Sequence, residues 1–323
     1  MRKLIALVVI LISYFSALNA QEDPQYSMNF YNLLSFNPAY AGSNDAICGV
    51  ILYRNQWMGF EGAPTTMSLS AHGPISSINS GVGISIVSDK IGYYSDTYFT
   101  ANYSYMVELD EGFIRGGLGL GFINKSLSNA DWKTPDVLNG TYQDPYSDPN
   151  IPHDGSKIAF DANMGFYAQS QIGRKDMVYG GLSATHLTKP STKIDQTNPN
   201  AGHSYYARHF YLTGGYAYQF TEELDLQPGF IVHTDGSVVQ YNVFGRVVYR
   251  KQFWGGLGYR GGDAIFPMVG YNHPMGIGGG ISYDITLSKL ANYSSGTIEV
   301  YLRYCFNIDI QKGKTSYKSV RFL

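Results

Sequence analysis

The stretch Tyr98-Phe99-Thr100-Ala101-Asn102-Tyr103-Ser104-Tyr105-Met106-Val107 decides the fold. In an extended chain Phe99, Ala101, Tyr103, Tyr105 and Val107 share one face, and Tyr98, Thr100, Asn102 and Ser104 share the other. A helix would scatter both sets, so the period of two predicts a strand with one greasy and one wet side. The pattern recurs. Phe160, Ala162, Met164, Phe166 and Ala168 alternate with Asp161, Asn163, Gly165, Tyr167 and Gln169, while Val239, Tyr241, Val243, Val247 and Tyr249 alternate with Gln240, Asn242, Arg246 and Arg250.

Which side looks inward separates a soluble sandwich from a membrane barrel. A sandwich covers its outside with Lys, Glu and Thr, whereas a barrel places Gly, Ser, Asn and isolated charges inside. Here Arg115, Gly117, Gly119 and Gly121 oppose Ile114, Leu118, Leu120 and Phe122, and exposed-type lysines are few. Charged residues are 15% of the 323 positions, against about 25% in a soluble domain. The 28 tyrosines suit girdles at the two membrane interfaces. A formal charge of −2 gives no field for nucleic acid, and 44% hydrophobic residues exclude a disordered chain. After the first twenty residues no apolar run approaches the 18 or so that a spanning helix needs.

Strand patterns fall near 46–54, 65–72, 80–88, 96–108, 112–125, 158–170, 176–187, 205–220, 224–233, 237–250, 253–260, 263–271, 275–286 and 297–307. The reading is an all-β chain forming a transmembrane outer-membrane β-barrel of about 14 antiparallel strands, an even number as such barrels require. Short connections around 110–111, 172–175, 221–223 and 250–252 fall at every second turn. The two longest, 126–157 and 188–204, fall on the opposite parity. Long extracellular loops, short periplasmic turns and periplasmic chain ends follow.

Arg2 and Lys3, the apolar run Leu4 to Ile12 and the close Ala17-Leu18-Asn19-Ala20 read as a signal peptide, 1–20, cleaved after Ala20. Residues 21–44 do not alternate and contain Asn37-Pro38. A periplasmic tail and a plug folded into the lumen both fit, and the plug is favoured because strand side chains alone do not fill so wide a barrel. The barrel itself is assigned to 45–310, and 311–323 is a periplasmic tail or the end of the final strand. Arg54, Asp161, Arg246, Asp284, Glu299 and Arg303 fall on wet faces, so they are expected to project into the lumen and pair across the plug, holding Asn37-Pro38 in place. Cys48 and Cys305 lie in the first and last strands. Two buried free thiols are the favoured expectation, with a disulfide open if the Cα atoms come within about 7 Å.

Catalytic chemistry finds no support. No G-x-S-x-G occurs, His186 follows Ser183 by three positions and so faces the opposite way on a strand, and His153, His203 and His273 read as loop residues. The acidic loop with Asp131, Asp136, Asp144, Asp148, Asn150 and Asp154 matches no calcium-loop spacing, although calcium there stays open. The expectation is a non-enzymatic protein with no catalytic, cofactor-binding or metal residues. The glycine runs 116–121 and 276–280 miss the phosphate pattern and read as room for close packing or a plug.

The segment QEDPQYSMNFYNLLSFNPAYAGS (21–43), followed by YRNQWMGFEGAPTTMSLS (53–70), carries a resemblance. Asp23-Pro24-Gln25-Tyr26, Asn37-Pro38-Ala39-Tyr40-Ala41-Gly42, Tyr53-Arg54, Gln56-Trp57 and Ala63-Pro64 together resemble the opening of the PorP/SprF family of type IX secretion system outer-membrane proteins, associated with protein secretion and gliding motility in Bacteroidetes. Weaker matches run through Asp89 to Gly92, Gly165-Phe166-Tyr167, Gly181-Leu182-Ser183, His186, Ser282 to Thr286 and Glu299. The resemblance implies a FadL-like barrel, similar to the fatty-acid transporters, with an Asn37-Pro38-Ala39-Tyr40 hatch. It also implies a secreted type IX partner, such as an adhesin, bound and anchored at the cell surface. A core secretion component and a partner-specific anchor both fit; the anchor is favoured. Trp132, Tyr142, Tyr146, Tyr205 and Tyr206 are the loop residues expected to touch the cargo. The alternative is an outer-membrane transporter for a hydrophobic small molecule. Other type IX components and membrane lipid complete the expected partners.

Overall fold

Each alternating stretch folds as a strand with its apolar residues outward, so the chain curls into a closed barrel in a computed structural model that describes residues 23–44, 46–128, 151–173, 175–194 and 204–306. The strands are β1 (Ile47–Asn55), β2 (Thr65–Ile75), β3 (Ser80–Ile91), β4 (Tyr94–Leu109), β5 (Gly112–Leu127), β6 (Gly155–Ile172), β7 (Asp176–Thr185), β8 (Ser191–Thr192), β9 (Ser204–Tyr205), β10 (His209–Gln219), β11 (Leu224–Thr234), β12 (Val239–Tyr249), β13 (Phe253–Arg260), β14 (Ala264–Asn272), β15 (Ile277–Thr286) and β16 (Thr297–Phe306). All but β8 and β9 belong to the barrel, which pairs neighbours antiparallel and closes β16 onto β1, fourteen strands in all. β8 and β9 pair only with each other. The expected strand near 205–220 therefore divides, its first residues pairing with Ser191–Thr192 instead of the wall. Among the described residues no helix is long and apolar enough to cross a membrane.

The outward face is a band of exposed apolar side chains, among them Leu118, Leu120, Phe122, Phe160, Phe166 and Leu182. A soluble protein would not leave so continuous a surface wet. Connections at one end, at 76–79, 110–111, 173–175, 220–223, 250–252 and 273–276, are never longer than four residues, while the two longest, 128–154 and 186–208, join strands whose ends lie at the other. Loop length makes the second end the outer one. β5 and β6, 16 and 18 residues long, exceed the 9–11 that cross the hydrocarbon, so the wall continues beyond it beside the longest loop.

At the seam Cys48 stands opposite Cys305, with Cα atoms 4.1 Å apart, and their sulfurs are bonded. The thiols favoured from the sequence are thus a disulfide. The register of β1 on β16 sets the two residues side by side, well inside the reach of about 7 Å, a fact that strand boundaries alone do not fix.

Asp23–Asn44 runs through the lumen. It enters at the outer end, where Asp23 meets His186 just past β7, and reaches the short-turn end, where Gly42 packs on Gly81, Gly73 and Pro74. Asp23 thus stands at the outer end and not on the periplasmic side expected for the chain's start, because the plug crosses the lumen before β1 begins. Three single-turn helices, Asn29–Tyr31, Leu33–Ser35 and Pro38–Tyr40, fold it compactly. Asn37 caps the last of these by accepting from the Ala39 amide at 3.0 Å, with Pro38 pre-set at the first position. Tyr26, Met28 and Phe30 pack with inward Leu52, Phe244, Trp254, Phe266 and Tyr301. Leu33, Phe36 and Ala39 pack with Tyr167, Tyr211 and Ile231. The lumen is therefore a protein core, less polar than the wet faces suggest, because large rings fill it where neighbouring strands carry glycine. Gly258 opposes Phe266 in this way, and Gly270 opposes Trp254.

Candidate functional site

The glycines of β5, β6 and β7 cradle the plug. A Cβ on Gly117 would overlap the Ala39 amide, one on Gly165 the Asn37 side-chain oxygen, and one on Gly181 would sit 2.8 Å from the Asn37 amide nitrogen. Asn37 Nδ2 donates to the Phe166 carbonyl at 3.0 Å. The Ala39 backbone and the Asn37 side chain touch the wall here, with no room for a Cβ between them.

Towards the outer end the strands aim their charges at the plug. Arg54, Asp284 and Glu299 are essentially fully buried, as is Arg260. Arg54 pairs with Asp284 and Glu299, both at 2.9 Å, and Arg260 pairs with Asp284 at 2.8 Å. Glu299 accepts from the Ser27 and Met28 amides at 2.8 and 2.6 Å. The Ser27 hydroxyl donates to Asp284 at 2.6 Å and accepts from both arginines at 2.9 Å. Buried ions persist when each is paired and hydrogen-bonded, and here the plug supplies part of the pairing.

At the outer rim His186 takes a left-handed backbone, φ 56°, immediately after β7. Its amide donates to Asn163 Oδ1 at 3.0 Å, its Nδ1 lies 2.8 Å from Asp161 Oδ2 and its Nε2 lies 2.8 Å from Asp23 Oδ1. Burial works against a charged ring, but Asp23 and Asp161 outweigh it and push the His186 pKa up to about 10. Asp23 is likewise opposed by burial, yet His186 and His209 hold its carboxyl well below the usual range. Its other oxygen accepts from Tyr211 at 2.6 Å and Thr185 at 3.2 Å. Above this tie a cup of about 340 Å³ opens, lined by Asp23, Asp89, Tyr94, Asp96, Tyr98 and Lys125 among others. Lys125 pairs with Asp96 at 3.1 Å, so the cup is acidic and aromatic.

Of the lumen charges read from the sequence, Arg54, Asp161, Asp284 and Glu299 are buried inside. Arg246 lies with its guanidinium 3.8 Å from the Phe30 ring centre, and Arg303 stands over Tyr31. The ion cluster grips Ser27 and Met28, however, and not Asn37-Pro38, which the glycine cradle holds. Tyr205 is 56% exposed, whereas Tyr206 is 4% exposed. Tyr206 folds over the rim beside His186 and Lys125, so it offers no outer surface to a cargo. Trp132, Tyr142 and Tyr146, most of the acidic loop, His203, residues 1–20 expected as a signal peptide and residues 311–323 expected as a tail lie outside the described residues. Arg260 and His209 carried no sequence signal, and only contact across the lumen reveals them. Among the described residues Asp23, His186 and His209 are the set whose ligand atoms gather within 4.8 Å.

A fourteen-stranded antiparallel barrel, greasy outside and filled within by its own N-terminal segment, defines an outer-membrane β-barrel protein. The family described as type IX secretion system membrane protein PorP/SprF matches residues 18–304, and the chain belongs to that family. No curated protein matches the sequence. Among solved structures, the deltaS2S3 mutant of the monoaromatic hydrocarbon channel TodX is 10% identical, with 85% of this chain and 94% of that one covered and a TM-score of 0.50. The Ralstonia pickettii toluene transporter TbuX is 11% identical, with 84% and 92% covered and a TM-score of 0.48. At such identities the likeness to the TodX mutant concerns the fold alone.

Proposed function

We propose that this type IX barrel is a plugged anchor, whose outer end binds and retains a secreted partner protein at the cell surface without enzymatic activity. The observation that supports this is the filled lumen. Between Asp23 and Asn44 most of the plug is buried against the wall, tied by ions at the outer end and by close contact at Gly117 and Gly165. A barrel of this kind offers its function at the surface, and the outer end carries the two longest connections, 128–154 and 186–208. Exposed Tyr205 and the aromatic residues Trp132, Tyr142 and Tyr146 of those loops supply contact surface suited to protein recognition. Other secretion components are the natural neighbours of a member of this family.

The test is isolation of the protein from gently solubilised outer membranes, with mass spectrometry of what accompanies it. One large surface protein should co-purify, and should be lost when 130–152 is deleted while the barrel still folds. Surface display left intact by that deletion contradicts the loop platform. Uptake of a hydrophobic small molecule requires a path beside Asn37-Pro38-Ala39, and steady conductance in a planar bilayer would support that reading instead.

A further inference from the structure

Three segments far apart in sequence meet at the outer rim: Asp23 from the plug, His186 from just past β7 and His209 at the first position of β10. A carboxylate oxygen of Asp23 and one ring nitrogen of each histidine lie within 4.8 Å of one another. Three ligands bonded at about 2.0–2.2 Å to a tetrahedral ion stand roughly 3.3–3.5 Å apart, so small side-chain adjustments bring this set to bonding distance.

The remaining atoms of the three side chains are already held. His186 Nδ1 is bonded to Asp161 at 2.8 Å, the carboxylate–imidazole pairing that orients histidine on a metal. Asp23 Oδ2 accepts from Tyr211 and Thr185. His209 is 2% exposed. Its Nδ1 donates to the Ala207 carbonyl at 3.2 Å and lies 3.7 Å from Asp23 Oδ2, which leaves a lone pair on Nε2, a buried nitrogen with no hydrogen-bond partner among the described residues. Charge points the same way. Asp23 and Asp161 share one imidazole; a proton there leaves one negative charge over, whereas a divalent ion in the proton's place cancels both.

We propose that Asp23, His186 and His209 form a site for a divalent transition-metal ion of the zinc class. Two imidazoles and a carboxylate suit zinc better than calcium or magnesium, which take oxygen. Asp23 and His209 also line the outer cup, so a fourth ligand reaches the ion from that side. The ion joins plug to rim, and its binding is independent of whether a cargo is retained.

The experiment uses the full barrel in detergent, without a histidine tag, stripped by chelator and titrated calorimetrically with zinc chloride. Zinc K-edge absorption of the loaded wild type is the second measurement. One zinc per chain is expected, with imidazole nitrogen in its shell and protons released as it binds. His209→Ala should abolish that stoichiometric site, Asp161→Asn should weaken it about 10–100-fold by loosening His186, and His273→Ala, at an exposed short turn, should leave it unchanged. Because replacements at the rim also loosen the plug, the wild-type spectrum stands alongside them. Absence of zinc binding by the wild type, a shell without imidazole, or uptake that survives His209→Ala as adventitious binding would each overturn the site.

Discussion

Arg54 and Glu299 face each other across the seam where the barrel closes, paired at 2.9 Å between β1 and β16. Glu299 also accepts both the Ser27 and the Met28 amides. One carboxylate thus joins the first strand, the last strand and the plug, so closing the barrel and seating its N-terminal segment are coupled.

Arg54→Met removes the cation from Glu299 and leaves Asp284 with Arg260. Breaking a buried pair from one side costs about 3–5 kcal/mol. The folded band in unboiled electrophoresis should be lost at lower temperature, and the plug should become open to protease. The double replacement Arg54→Met with Glu299→Gln should recover part of the loss, since no lone carboxylate then remains buried.

Gly117→Val places methyl groups where the Ala39 amide sits. Overpacking of this kind costs about 1–3 kcal/mol, and the softer partner is the plug, which lacks strand pairing. The variant should therefore fold as a barrel yet show raised conductance in planar bilayers. Gly116→Ala is the control, because its Cβ would meet the Phe166 ring at an ordinary 3.6 Å on the outward side; it should behave as wild type.

Cys48→Ser opens a covalent link spanning 257 positions. Cross-links closing long loops contribute roughly 2–5 kcal/mol, chiefly by restricting the unfolded chain. The same loss should follow from reducing agent on the wild type, read as a lower midpoint in urea, and reductant should have no effect on the variant. A midpoint unmoved by reductant in the wild type would show that hydrogen bonding alone governs the seam.

The wall was legible because side-chain alternation is a local property: Phe99 and Thr100 announce their faces without reference to any other strand. The glycines at 117 and 119 were legible as close packing for the same reason. What the alternation leaves undetermined is which residues meet across the lumen. Asp23 lies in a segment without period, and His186 and His209 come more than 160 positions later; only closure of the barrel brings them together. Arg260 sits at the last position of an eight-residue strand beside a turn, where it reads as solvent-facing. Cys48 and Cys305 needed the register, since a shift of one residue would have turned one of them outward. Tyr206 shows the converse, a loop residue by spacing that folds back over the rim.

The orientation of the wall yields the sharpest contrast between positions on one strand. Leu118 lies near the middle of β5, pairs with Tyr103 and Met164, and is 58% exposed. An arginine at mid-depth on a lipid-facing wall costs about 2–4 kcal/mol, whereas the same exposed leucine on a water-facing surface would tolerate it within about 0.5 kcal/mol. Leu118→Arg should therefore fold poorly into bilayers, with a lower folded fraction and a lower urea midpoint in vesicles. Val239→Arg, 66% exposed at the outer end of β12, should be nearly neutral, because the cost falls to about 0–1 kcal/mol near an interface. Equal tolerance at both positions would mean that Leu118 faces water, and the outward apolar band would lose its meaning as a membrane surface.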